Sequence, residues 1–76
     1  MTSADHELDA RNLNCPLHIL RAKKKLGQTA AGETVWVYAT DPGSVKDFDA
    51  FADHTGNELL ESKEMEGEFH FLLRKS

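Results

Sequence analysis

Two prolines, Pro16 and Pro42, punctuate this chain of 76 residues, and each stands just ahead of an amphipathic stretch that runs to a glycine. Proline lacks a backbone N–H, fits the first position of a helix, and pushes the residue before it toward extended geometry. Pro16 therefore predicts a helix from Pro16 to about Gly27 with Cys15 at its cap. Ile19, Leu20, Ala22, Lys23 and Leu26 form a stripe beside a basic face, and Gly27 supplies the stop. In the second stretch Asp41 is expected to cap a helix and Pro42 to take its first position. Val45, Phe48, Phe51 and Ala52 then recur at helical spacing, Asp47, Asp49 and Asp53 lie mostly off that face, and Gly56 closes the element.

The remaining segments read as strands. Glu7–Ala10 is a short one, and Thr34–Ala39 is β-branched and aromatic, as a central strand should be. Glu58–Lys63 and Glu68–Arg74 are joined by a turn containing Gly67 and form an antiparallel hairpin. Phe69, Phe71 and Leu73 are expected to face the helices, with His70, Leu72 and Arg74 opposite. The order is β-α-β-α-β-β. Crossover rules place both helices on one face of a four-stranded sheet, an α+β two-layer sandwich. One domain over residues 1–76 is expected, with an ordered core over about 7–75 and residues 1–6 flexible. On the open sheet face Trp36, Tyr38 and Leu72 are expected to be exposed, either as scattered surface residues or as a patch for a partner.

Composition narrows the function. The chain is too short for a cofactor domain plus a substrate domain, and no cofactor is expected. Its polar, acidic start lacks signal-peptide features, no run is long enough to span a bilayer, and the single cysteine cannot form an internal disulfide. A cytoplasmic protein without membrane association is the expectation. The net charge of −4 disfavours general binding to nucleic acid. Even so, Arg11, Arg21, Lys23, Lys24 and Lys25 are five of the nine basic residues and form a candidate docking cluster.

Chemistry centres on Cys15. A lone cysteine in a small domain is often only a buried hydrophobe. A thiol at a helix N-terminus, however, is favoured as the nucleophilic thiolate, and the same N–H groups suit a persulfide anion. His18, three residues on, is in position either to tune that thiolate or to stand in solvent as an ordinary surface histidine. A zinc site built on Cys15 and His18 with His6, His54 or His70 lacks a second ligand cluster at zinc spacing, so no metal is expected. Peroxidase or disulfide exchange would normally need a resolving thiol, which the chain does not contain. A single-thiol acceptor and donor that works by docking is what remains. A protein- or RNA-binding regulatory module is the alternative from another class, and a small thiol enzyme using Cys15 with His18 is a third.

From about Glu7 to Lys75 the chain resembles the TusA/SirA-like family of bacterial sulfur carriers. The likeness is carried by Leu8-Asp9-Ala10-Arg11-Asn12-Leu13-Asn14-Cys15-Pro16, by Ala39-Thr40-Asp41-Pro42-Gly43-Ser44 with Asp47, and by Thr55-Gly56-Asn57-Glu58-Leu59. The resemblance implies a mixed sheet with the final strand inside it. It also implies that Cys15 accepts sulfane sulfur as a persulfide from a cysteine desulfurase or rhodanese-type donor and passes it to an acceptor protein. The routes served across such a family include tRNA thiolation, molybdenum cofactor synthesis and sulfur oxidation. Two departures stand out. The family's Cys-Pro-x-Pro is here Cys15-Pro16-Leu17-His18, and Asn12 stands where glycine is common. Asparagine tolerates a left-handed turn best after glycine, so that turn is expected to persist.

Overall fold

A computed structural model describes residues 4–14 and 17–76. The elements run β1 (His6–Ala10), α1 (Leu17–Gly27), β2 (Thr34–Ala39), α2 (Ser44–Thr55), β3 (Glu58–Met65) and β4 (Glu68–Arg74), in the expected β-α-β-α-β-β order. The sheet order is β1-β2-β4-β3. Strands β1 and β2 are parallel, with His6 opposite Val35 and Ala10 opposite Ala39, which requires the crossover that α1 provides. The other two neighbouring pairs, β2 with β4 and β3 with β4, are antiparallel. The final strand thus occupies the interior of the sheet.

Alternation along β2 and β4 turns Val35, Val37, Ala39, Phe71 and Leu73 into the layer beneath the helices, where all are buried. Phe48 of α2 stacks on Phe71 with ring centroids 4.7 Å apart and meets Phe51 edge-on at 6.1 Å. Burying one such ring stabilises the fold by about 1.5–3 kcal/mol.

Both helices are rotated relative to the expected faces. In α1 the buried line is His18, Ala22 and Leu26, at i, i+4 and i+8, whereas Leu20 is 55% exposed and Lys23 points to solvent. Lys24 and Lys25 fall in the last turn, where cations suit the helix dipole. In α2, Ser44 takes the inward slot ahead of Phe48, Phe51 and Ala52, and Val45 is 42% exposed.

The start of α2 also differs from expectation. Asp41 does not cap it and Pro42 is not its first residue; Gly43 is the N-cap, without a side-chain capping bond, and the helix begins at Ser44. The reason is a turn. The Asp41 carbonyl accepts from the Ser44 N–H at 2.9 Å and its carboxylate accepts from the Gly43 N–H at 3.0 Å, so Pro42 is used up in the turn before the helix opens. At the other end Gly56, at φ 76°, closes α2 in the left-handed conformation.

Strand β3 continues past Lys63 to Met65, with a register shift between Leu59 and Glu61. Met65 pairs with Glu68 across a two-residue loop, and both loop residues, Glu66 and Gly67, have positive φ, as a primed hairpin turn demands. On the open sheet face Trp36 and Tyr38 are half-buried, but Leu72 is only 3% exposed, against expectation. Leu72 lies in register between Trp36 of β2 and Glu61 of β3, and the Lys63 ammonium sits 5.3 Å from the Trp36 ring centroid. An aromatic plane and long charged side chains cover the apolar residue between them.

Candidate functional site

Helices α1 and α2 each follow one of the two parallel strands, β1 and β2, so both begin at the same edge of the sheet, the edge where open α/β sheets place their chemistry. The loops leading into them are tied together. The Asn12 N–H donates to Thr40 Oγ1 at 2.9 Å, and Asn12 holds φ 66°, so the expected left-handed turn is present with asparagine in the glycine's place. Leu17, the first residue of α1, donates its N–H to the Asn14 carbonyl at 2.7 Å. Cys15 and Pro16, the centre of the sequence-based reading, lie outside the described residues.

His18 settles into the space between the helices. Its side chain has no solvent exposure, and its ring is 5.5 Å from that of Phe48, tilted by 59°. Nε2 lies 3.1 Å from Asp47 Oδ2, reaching across to the first turn of α2. A solvated surface histidine is therefore not what this residue is. Nδ1 is buried with no hydrogen-bond partner among the described residues, and Ser44 Oγ is in the same condition. Leaving a buried polar atom unbonded costs about 1–3 kcal/mol, so two such atoms in the opening turns of adjacent helices ask for an explanation beyond packing.

Asp41 belongs to the same corner: one atom each from His18, Asp41 and Asp47 lie within 4.8 Å of one another. These are the residues that would hold a cation if one bound at this corner. The Nε2–Oδ2 hydrogen bond already accounts for the closeness of two of them, so the arrangement reads as an oriented imidazole beside a second carboxylate. Pro42 is exposed in the turn above.

The basic residues separate into two groups. Arg21, Lys23 and Lys24 are exposed along α1 and Lys25 is half-buried. Arg11 is instead engaged on the sheet side: its Nε donates to Asp9 Oδ1 at 2.9 Å, its second guanidinium arm to Asp9 Oδ2 at 3.0 Å, and its first arm to Glu68 Oε2 at 3.2 Å. The Arg11 hydrogen bond pulls the Asp9 carboxyl down to about 2. Glu68 is lowered first by the His70 ring, 3.1 Å from its Oε1, and then by Arg11. His70 meets Tyr38 edge-on at 4.8 Å, and the Tyr38 hydroxyl donates to Glu7 at 2.7 Å, which raises the phenol. The charge of Arg11 is thus paired with Asp9 and Glu68.

The sequence blocks behave differently in space. The first two meet at the helix-start edge through Asn12–Thr40, and His18, two residues beyond the first block, reaches Asp47 of the second. The third, Thr55–Leu59, ends α2 and opens β3 at its far end. Asp47 is the residue that sequence reasoning left without a role. The buried spacing of His18, Ala22 and Leu26 could have placed the imidazole inside, but nothing in a periodicity pairs it with a carboxylate 29 residues away.

Comparison with known proteins shows the family. The family model described as sulfurtransferase TusA matches residues 6–75. The sulfur carrier protein TusA of Allochromatium vinosum is 66% identical over 76 residues, covering the whole of both chains. A relative from Neisseria meningitidis serogroup A is 46% identical over 67 residues, 88% of this chain and 90% of that one. The crystal structure of a SirA-like protein from Desulfitobacterium hafniense superposes with a TM-score of 0.81 at 27% identity, covering 91% of this chain and 95% of the other.

Proposed function

Since this chain belongs to the sulfurtransferase TusA family and is a sulfur carrier, we propose that the sulfur travels as a persulfide on Cys15. The observation that carries this reading is the position of the only thiol in the sequence. In the sequence it falls between β1, which ends at Ala10, and α1, which begins at Leu17, two residues ahead of that helix. Backbone N–H groups and the positive end of a helix favour both a thiolate and the anion of its persulfide.

A carrier has a donor and an acceptor. The donor is a cysteine desulfurase or a rhodanese-type protein and the acceptor is a downstream protein, all in the cytoplasm; among the described residues no helix is long and apolar enough to cross a membrane. The exposed side of α1 suits docking. Leu17 and Leu20 are 51% and 55% exposed, and with Arg21 and Lys24 they form an i, i+3, i+4, i+7 stripe that begins two residues after Cys15. An apolar centre flanked by cations fits an acidic rim around a donor's own reactive cysteine.

The test is mass spectrometry of the intact protein after incubation with a cysteine desulfurase and cysteine. Cys15 is expected to gain one sulfur atom, reversed by a thiol reductant, and Cys15→Ser to gain none. Absence of the added sulfur with both donor classes would overturn the reading. Leu20→Glu and Lys24→Glu are expected to slow loading while leaving a small chemical sulfur donor unaffected.

A further inference from the structure

We propose that His18, Asp41 and Asp47 form a binding site for a zinc-like divalent cation at the corner where the two helices begin. Unlike a Cys15–His18 zinc site, it uses no thiol, and it does not depend on the carrier reading. It is a property of this chain and not of the family's Cys-Pro-x-Pro pattern, which offers no ligand atom where His18 stands.

The donor set selects the class of ion. One imidazole nitrogen with two carboxylates suits zinc and cobalt, whereas magnesium and calcium prefer oxygen alone. The two carboxylate charges match a divalent ion, and a neutral imidazole adds none. Ligand atoms of the three residues lie within 4.8 Å of one another, and His18 Nε2 is 3.1 Å from Asp47 Oδ2. Two ligands each about 2.1 Å from one ion stand roughly 3–3.4 Å apart, so this pair has the spacing of neighbours in a coordination shell. Asp41 completes the set by a shift of about 1–2 Å. It sits in the β2–α2 turn, outside either helix, where such a shift disturbs least.

The surroundings fit an ion as well. The imidazole is wholly buried beside Phe48, while the Asp47 side chain is 32% exposed, which gives an ion a way in and leaves a side open for water as a further ligand. The Asp41 carboxylate accepts from the Gly43 N–H at 3.0 Å, a contact of the kind that aims a ligating carboxylate. Two buried polar atoms have no partner among the described residues, His18 Nδ1 and Ser44 Oγ. One belongs to the set itself and the other to a residue between its two carboxylates in the chain. The neutral ring thus holds a lone pair that no hydrogen bond uses and that a metal ion takes: the lone pair is on Nε2 once the ring proton moves to Nδ1. The Ser44 hydroxyl is a spare donor for a ligating carboxylate.

The experiment titrates Zn²⁺ into the reduced full chain by calorimetry, and records the Co²⁺ absorption spectrum and the ring 15N shifts of the four histidines. One ion is expected to bind, with the His18 ring shifting, a cobalt d–d band appearing and the melting midpoint rising with zinc concentration. Mg²⁺ at the same concentration should do none of this. Cys15→Ser is expected to keep the site. Asp47→Asn and His18→Pro should each weaken zinc binding on the order of a hundredfold. His18→Pro recreates the Cys-Pro-x-Pro pattern and is expected to fold, with circular dichroism as the check. The histidine shifts in the unmodified protein need no variant and decide the matter where a variant does not fold. No zinc binding, shifts confined to His6, His54 or His70, loss of binding in Cys15→Ser, unchanged affinity in His18→Pro, or equal binding of Mg²⁺ would each overturn the proposal. The carrier reading fails separately, by the absence of added sulfur on Cys15.

Discussion

The two faces of the sheet solve the problem of polar side chains in opposite ways. Under the helices, among the described residues, lies the ionisable pair His18–Asp47, whose imidazole is wholly removed from solvent, bonds to Asp47 and has an aromatic neighbour. On the open face Asp9, Arg11, Glu68, His70, Tyr38 and Glu7 form a chain of partners, half of them well exposed and the rest half-buried. In the first arrangement each atom's partner is decided by its surroundings, and an error is costly because water cannot repair it. In the second, water replaces any lost partner, so the network shapes the surface while contributing little to stability. The lesson is that chemical specificity in this small fold resides where polar groups are few and dry.

The comparison breaks most visibly at Phe48, which touches both the imidazole and Phe71. Phe48→Ala should cost about 3–5 kcal/mol, read as a lower urea midpoint. Leu72→Ala, on the nominally open face, is next at about 2–4 kcal/mol, because that leucine is as buried as a core residue; a loss well under 1 kcal/mol would show that the cover from Trp36 and Lys63 is not maintained. Asp47→Ala leaves the buried imidazole without its partner and should cost about 1–3 kcal/mol, with no dependence on salt.

Arg11→Ala should have the smallest effect, one that shrinks further as salt rises. Its signature lies in pH. The Asp9 carboxyl, at about 2, and that of Glu68 titrate in the folded protein below their unfolded values. Their contribution is therefore complete above the ordinary carboxylate range and is lost as pH falls toward about 2. Tyr38 runs the other way: its raised phenol stabilises the fold below its unfolded value, and this is lost as pH rises through the folded one. Removing Arg11 should lower the neutral plateau slightly and leave the most acid end of a plot of denaturation midpoint against pH in place, so that the acid limb between them flattens.

Much of the fold was legible in residue order. The six elements, the hairpin at Gly67 and the Gly56 stop all follow from local chemistry that a neighbouring residue can report, and the left-handed Asn12 from the family likeness. What escaped depends on contacts between elements. Val45 and Leu20 are apolar and at helical spacing, yet the face that packs is chosen by Ser44 and His18, whose burial is fixed by what lies across the interface. Asp41 and Pro42 carry helix-start signals, but the same dipeptide favours a turn, and the turn is satisfied first. At the site, the position of Cys15 before a proline was readable, as was its likeness to a sulfur carrier. The role of His18 was not, because its partner comes from another helix and is joined to it only by folding.

The placement of β4 between β2 and β3 has a consequence in time. Strand β2 cannot pair on its inner edge, and Phe71 and Leu73 cannot close the layer beneath the helices, until residues 68–74 are available. Synthesis delivers the N-terminal segments first, so the segment that carries Cys15 is made long before the sheet is complete. A nascent chain therefore presents its thiol on an unfinished scaffold, and the pairing of residue 18 with residue 47 waits on the last strand to arrive. Closure of the sheet is then a late event, and a truncation short of β4 is expected to leave the inner edge of β2 and the whole of β3 unpaired and the chain unfolded.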